Sequence, residues 1–356
     1  MSLHHLTDAG ARTRPARPGL GRYPRLAGLA AASLVLAACG GGGGGAVEDD
    51  PAAAEGFPED EITIVVPFSA GGPTDTVTRL IAEPMGEELG TQIVVQNVEG
   101  AGGTIAAGQV ASADPDGYTV LMHHIGMSTA PSLYADLPYD PLEDFKTVGL
   151  VTEVPMTIIA RSDFEPDTLE ELVTYLEENG EDVTLANAGV GAASQLCGLL
   201  LQDAIGVELT EVPYEGTGPA LQDLVAGEVD LMCDQTTNTT GQIQGGGVKA
   251  YAVTTEEPVE SLPDLPTTAE AGLDDLQVGV WHGLYVPAET PDAIVEELTA
   301  ALQVALEDPN VIDQLAELGA APSSQDDATP EAHTELLSDQ IDLWQPIIED
   351  AGVSAD

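Results

Sequence analysis

The stretch Val66–Ile81, "VPFSAGGPTDTVTRLI", decides how the rest of the chain is read. An apolar run, Ile62–Val66, leads into it, and an apolar-periodic segment follows Gly71, Gly72, Pro73 and Thr74. Strand, Gly-rich turn and helix start together outline an anion-binding loop. It is not a nucleotide loop of the Walker type. No lysine lies between Glu61 and Lys146, so no ammonium can reach a phosphate from it. Nor does it carry the GxGxxG dinucleotide spacing. What remains is the generic physics of backbone N–H groups at Gly71–Thr74 and a helix N-terminus, an anion site of modest charge.

Working outward, three further turns repeat the pattern: "NVEGAGGTIAAGQVA" (Asn97–Ala111), "NAGVGAASQLCGLLL" (Asn187–Leu201) and "VPYEGTGPALQDL" (Val212–Leu224). In the last, Thr217 or Gly218 is expected at the N-cap. One such turn needs no more than glycine's freedom at positive φ. Four in one chain predict helix N-termini converging on one anion. Around them, candidate strands such as Gln92–Gln96, Thr119–His123, Met156–Ala160, Val183–Ala186 and Val229–Cys233 alternate with candidate helices such as Thr74–Leu89, Thr168–Asn179, Ala192–Ala204 and Pro330–Asp350. This alternation predicts an α/β fold with mainly parallel sheets flanked by helices. Thr290–Pro291 and Thr329–Pro330 each read as a cap residue before proline at the first helical position.

Charge narrows the function. The chain has 61 Asp and Glu against 9 Lys and Arg, a formal net charge of −52. It cannot build the basic face that nucleic-acid binding requires. With 43% hydrophobic residues the acidity reads as a solvated surface, not disorder. Salt screens its self-repulsion, so the composition predicts a salt-adapted protein. Its melting temperature is expected to fall on dialysis to low ionic strength; an unchanged melting point would count against salt adaptation.

The N-terminus reads as an export address. Arg12, Arg14, Arg17, Arg22 and Arg25 precede the apolar run Leu26–Ala38, which is too short to span a bilayer. It ends in "LAAC", Leu36–Cys39, which resembles a bacterial lipobox with Cys39 as the lipidated residue. The expected division is residues 1–38 signal peptide and 39–57 flexible tether. Beyond it the basic side chains are Arg79, Lys146, Arg161 and Lys249. Arg79 lies one helical turn after Asp75, where a structural i,i+4 pair is expected. Recognition then falls to amides and hydroxyls: Ser69, Thr74, Thr104, Ser194, Tyr214 and Thr217.

"VPFSAGGPTD", "NVEGAGGT", "LYADLPYDPLEDF" (Leu133–Phe145), "VPYEGTGPALQDLVAGEVDLM" (Val212–Met232), "AVTT…LPDLPTTAEAGL" (Ala252–Leu273) and "WHGLYVPAETP" (Trp281–Pro291) follow in order. Together they resemble the substrate-binding proteins of tripartite tricarboxylate transporters, the Bug-type receptors, over nearly all of Ile62–Val353. The resemblance implies a two-domain Venus-flytrap fold of the type II periplasmic-binding-protein kind, with a cleft between domains. Domain 1 would be residues 58–160 plus 282–356, and domain 2 residues 161–281. It implies a monomeric, non-enzymatic receptor that holds a small organic acid, a di- or tricarboxylate or a related acid, without cofactor or metal. The partners it implies are the small and large permease subunits, with the membrane reached through the lipid anchor. Carried over position by position, the ligand-binding residues would be Phe68, Ser69, Gly71, Gly72, Thr74, Asp75, Gly103, Thr104, His124, Gly126, Gly191, Ser194, Tyr214, Thr217 and Asp234. Ala192 and Gln195 depart from the family's usual Ser or Thr and His, and Gly247 from its basic residue.

Other readings of these residues stay open. His123 and His124 are adjacent at a strand end and face opposite ways, which speaks against a shared metal ion. His124 is either a cleft donor to a carboxylate or a packed core residue. Asp75 either caps its own helix or fixes a water in the cleft. Cys197 and Cys233 are either a disulfide or two buried thiols. Ser194, His282 and Asp234 could be imagined as a catalytic set, but no GxSxG elbow is present. A sensor subunit without transport is the alternative to a transport receptor.

Overall fold

In the computed structural model, which describes residues 56–274 and 276–355, the alternation becomes the following elements. The first stretch holds β1 (Ile62–Val66), α1 (Pro73–Leu89), β2 (Ile93–Asn97), α2 (Thr104–Ala111), β3 (Thr119–His124) and α3 (Gly126–Leu133). The long β4 (Phe145–Arg161) leads to α4 (Leu169–Asn179), β5 (Thr184–Asn187), α5 (Ala193–Ile205), β6 (Thr210–Pro213), α6 (Thr217–Ala226), β7 (Leu231–Gln235), α7 (Thr236–Gln244) and β8 (Val248–Val253). The chain ends in β9 (Gly279–Pro287), α8 (Asp292–Glu307), α9 (Pro309–Glu317), β10 (Ala321–Pro322) and α10 (Pro330–Ala351). The export signal, Cys39 and nearly all of the tether lie outside the described residues. Among those described, no helix is long and apolar enough to cross a membrane.

The strands form one sheet in the order β2-β1-β3-β9-β4-β7-β5-β6, with β8 and β10 also on β4. Its two flanks are parallel: β1 pairs with β2 and β3, and β5 with β6 and β7. The centre is antiparallel, where β9 pairs with β3 and β4, and β4 with β7 and β8. The βα alternation marks the parallel flanks. The crossing strands β4 and β9 carry no such mark, because antiparallel pairing leaves the choice of partner to tertiary contacts. The pattern picks out only Met156–Ala160 of β4. Its partner changes there, from Pro155 against Gly279 of β9 to Met156 against Gln235 of β7. One unbroken strand therefore belongs to both halves of the sheet.

Each half is covered on both faces, as parallel strands require. On the first half Ile62, Ile64, Val77, Ile81, Leu298 and Leu302 fill one side, and Leu121, Tyr285, Leu337 and Trp344 the other. On the second half Ile158, Leu172, Leu185 and Leu231 oppose Ile159, Ala186, Leu224 and Met232. Thr329 caps α10 by accepting from Ala332 N, with Pro330 next, as its sequence predicts. Two caps move. The N-cap of α6 is Gly216, and that of α8 is Pro291, leaving the Thr290 hydroxyl buried and unpartnered. Helices α3 and α7 are absent from the sequence reading because their Gly, Ser, Thr and Pro content is poor for helix, and tertiary packing overrides it. Cys197 of α5 and Cys233 of β7 are joined as a disulfide with a Cα–Cα separation of 6.0 Å.

Candidate ligand-binding cleft

Strands β1, β3, β5 and β7 each deliver a loop and a helix N-terminus to the same side of the sheet, where open α/β sheets bind ligands. Phe68, Gly72, Pro73 and Thr74 from the start of α1, His124 from β3, and Ala188, Ala192, Ala193 and Ser194 from the start of α5 line one cavity. Thr217, the first residue of α6, and Gln235, the N-cap of α7, complete it. Three of the four glycine-rich turns, those that open α1, α5 and α6, reach this cavity; the turn that opens α2 does not, and the start of the unforeseen α7 is there instead. Each N-terminus favours an anion by about 0.3–1 kcal/mol. The larger groove along α1 and β2, about 870 Å³, is lined by Glu83 and Glu87 toward the C-terminal end of α1, the wrong polarity for an anion.

The jaws are shut. Only about 20 Å³ of the cavity is open to the centre of a water molecule, enough for roughly one. Closure is tightest where glycines face the opposite loop. A methyl group built on Gly216 would overlap Ser69 Oγ, and one on Gly102 would overlap the Val190 carbonyl. Tyr134 Oη donates to the same Val190 carbonyl at 2.9 Å, and Thr129 Oγ1 to Gly191 O at 3.4 Å. The second glycine-rich loop thus meets the third at the rim.

Of the expected residues, Phe68, Gly72, Thr74, His124, Ser194 and Thr217 line the cavity. Ser69 is buried with its hydroxyl unpartnered, facing Gly216. Gly103 packs on His123, Thr104 Oγ1 donates to Ala101 O at 2.9 Å, and Gly191 N donates to Gln195 Oε1 at 3.3 Å. Tyr214 Oη donates to Asp223 at 2.7 Å; burial and that carboxylate push it up to about 12. These four, with Gly126, shape the walls and do not line the cavity.

Asp75 braces its loop. It accepts from Arg79 Nε at 2.9 Å and Nη2 at 2.8 Å, from Gly71 N at 2.8 Å and from Asn97 Nδ2 at 3.0 Å. Burial pushes its carboxyl up, but Arg79, Gly71 and Asn97 outweigh burial and hold it below the usual carboxylate range. Gly71 N is thereby occupied.

The histidines are neutral, because burial holds His124 well below the ordinary imidazole value and His282 at about 3. His124 stacks on Phe68 with ring centroids 4.7 Å apart, and its Nδ1 accepts from Gly126 N at 2.9 Å. Its proton is therefore on Nε2. His282 Nδ1 lies 3.2 Å from the Val280 carbonyl, so it carries the proton, and its Nε2 accepts from Thr74 Oγ1 at 3.3 Å. The Thr74 hydroxyl proton is committed to His282, and the hydroxyl presents lone pairs to the cavity. Ser194 Oγ accepts from Ala188 N at 2.9 Å and keeps its own proton free. Ser194 Oγ and His282 Nε2 thus each have another partner.

Behind Thr217, Asp234 is fully buried. Its Oδ2 accepts from Asn238 Nδ2 at 2.5 Å, while its Oδ1 has no partner. Burial raises its carboxyl to about 7 against the pull of Asn238, Gln235 N and Thr217. Gln235 Oε1 is likewise buried and unpartnered. Gln235, His282 and Ala188 are liners or supports that sequence reasoning did not assign to the site. Gln235 stood next to Asp234 in "DQTTNTTGQI", and nothing in the pattern showed which way it faced.

A family model described as the tripartite tricarboxylate transporter family receptor (TctC) matches residues 77–353. The chain belongs to this receptor family. Among curated members, the "UPF0065 protein in the TAR-I ttuE-ttuC' intergenic region" of Agrobacterium vitis is 50% identical over 300 residues, 84% of this chain and 87% of that one. Among solved structures of TctC-type receptors and their relatives, the periplasmic binding protein BugD is 50% identical with a TM-score of 0.82, covering 84% of this chain and 99% of its own. MatC from Rhodopseudomonas palustris with bound malate is 43% identical with a TM-score of 0.80, covering 82% and 100%.

Proposed function

We propose that this TctC-type chain is an extracytoplasmic receptor that captures a small organic carboxylate between the two halves of the sheet and hands it to a tripartite tricarboxylate-type permease. The observation that carries the reading is the convergence of the N-termini of α1, α5, α6 and α7 on one cavity. Helix N-termini leave amides without intrahelical partners, and the Ser194 hydroxyl and His124 Nε2–H add donors. Directed hydrogen bonds from preorganised amides suit a planar carboxylate and do no chemistry on it. The malate-bound relative agrees with this ligand class. Lipidation of Cys39 would hold the receptor at the membrane, and its acidic surface would keep it soluble in high salt. In this reading the halves move as two domains about β4 and β9, and the protein acts as a monomer without cofactor.

A thermal-shift screen of di- and tricarboxylates in molar salt tests it. At least one is expected to raise the melting temperature, since a ligand at a hundred times its Kd adds about 2.7 kcal/mol. If none does, the ligand class is wrong.

A further inference from the structure

Helix α7 faces two ways. Its N-cap, Gln235, lines the cleft, and the next residue begins a contact with the other half of the sheet. Thr236 Oγ1 donates to the Gly319 carbonyl at 3.1 Å, and Thr240 Oγ1, one turn on, to the Leu318 carbonyl at 3.2 Å. Both threonines are buried. Leu318 is the C-cap of α9, and the chain runs on from Gly319 into β10, which pairs with Thr152 and Glu153 of β4 before that strand changes partner. The α9 corner therefore belongs to the first half, and α7 to the second. A threonine inside a helix readily turns its hydroxyl back to the carbonyl one turn earlier, as Thr239 does toward Gln235 O at 3.2 Å. Thr240 reaches outward instead. It and Thr236 take carbonyls that the end of α9 leaves without an intrahelical donor. The corner is tight: a methyl group built on Gly319 would crowd Ser261 Oγ and Thr236 Cβ.

We infer that Thr236, Thr240 and the α9 corner form a clasp that holds the two halves in the closed arrangement and parts when they open. The inference rests on the reading that the halves move about β4 and β9. A hydrogen bond of this length is lost once its atoms separate to about 3.6 Å. The two bonds lie one helical turn apart, about 6 Å along α7. A rotation of one half on the other can spare both only if its axis runs along this face of α7. Any other rotation breaks at least one, and water then reaches the freed groups. Clasp and cleft share one rigid helix, so the position that brings Gln235 to the cavity also seats Thr236 on Gly319. The clasp thereby adds to ligand affinity, because a receptor biased toward its binding-competent form loses less of its intrinsic affinity to closing.

Thr236→Val and Thr240→Val together remove both donors and keep the side-chain shape. Small-angle scattering in molar salt is expected to give the ligand-free double variant a larger radius of gyration than ligand-free wild type. Calorimetric titration with malate is expected to show roughly tenfold weaker binding by the variant, and saturating malate to bring the two radii together. Thr239→Val is the control on the same helix. Its hydroxyl bonds Thr157 Oγ1 and Gln235 O within the second half, so this variant is expected to lower the melting temperature and leave the radius unchanged. Equal ligand-free radii for wild type and the double variant would overturn the clasp. So would a radius as large in Thr239→Val, which would mean that α7 merely loosens. The scattering comparison uses no ligand, so its failure leaves the carboxylate reading standing, and a failure of malate to bind leaves the clasp to be decided by scattering. Should the double variant not fold, either single variant is expected to enlarge the radius in the same sense by less, and no change in both would overturn the inference.

Discussion

Gly216→Ala is expected to weaken ligand capture roughly tenfold to a hundredfold while leaving the melting temperature of the free protein nearly unchanged. At Gly216 φ is 169° and ψ 162°, an extended backbone that alanine adopts without strain. The added methyl meets nothing in its own half of the sheet that forbids it. It meets Ser69 across the cleft, where Oγ, N and Cβ all stand too near. Overpacking of that kind costs about 1–3 kcal/mol, and it falls only on the closed form. A ligand that needs closure loses that amount of binding energy, and each 1.4 kcal/mol is tenfold in Kd. Calorimetric titration with the best acid from the screen, beside a melting curve without it, separates the two effects. Equal loss in both would mean that Gly216 is needed for the fold itself. Unchanged affinity would mean that the jaws need not meet at Ser69.

The second large effect concerns the Cys197–Cys233 disulfide. Replacing both cysteines with alanine is expected to remove about 3–4 kcal/mol of stability, as chain entropy predicts for a crosslink spanning 36 residues. Both side chains are fully buried, so the loss appears in denaturant or heat and not as a change in surface behaviour. The crosslink also fixes α5, whose first turn carries Ser194, against β7, whose last residue is Gln235. Affinity should therefore fall with stability. A denaturation midpoint identical to wild type would show that packing alone holds α5 on β7.

What the sequence disclosed follows from what local chemistry can encode. The glycine-rich turns at Gly71–Thr74 and Gly189–Ala193 were legible because a strand must end and a helix begin there, and glycine, proline and hydroxyl residues mark such points. The bracing of Asp75 by Arg79 was legible because helical periodicity brings i and i+4 together. The pairing partners of β4 were not, since nine of its residues pair with β9 from more than a hundred positions away along the chain. The helical state of Thr236–Gln244 was hidden for a related reason: its Thr and Gly residues favour other conformations, and Thr236, Thr239 and Thr240 are held by burial and by hydrogen bonds to β4, Gly319 and Leu318. The orientation of hydroxyl protons, which sets donors against acceptors in the cleft, depends on His282 and Val280 lying beside Thr74, 208 residues away in sequence. No spacing rule reports that.

The described cations are all engaged within the protein: Arg79 with Asp75, Lys146 with Asp292, Arg161 with Asp163 and Asp230, and Lys249 with Asp167. A free guanidinium or ammonium in the cleft would attract any anion, and in the high-salt setting proposed for this chain the most abundant anion is chloride. Molar chloride would then compete with a scarce organic acid at every encounter. A cleft built from oriented amides and hydroxyls answers to the flat, two-oxygen shape of a carboxylate more than to its charge, so background halide gains little hold on it. Ligand capture by the proposed cleft is then expected to vary little with ionic strength, whereas the stability conferred by the acidic surface is expected to vary with it.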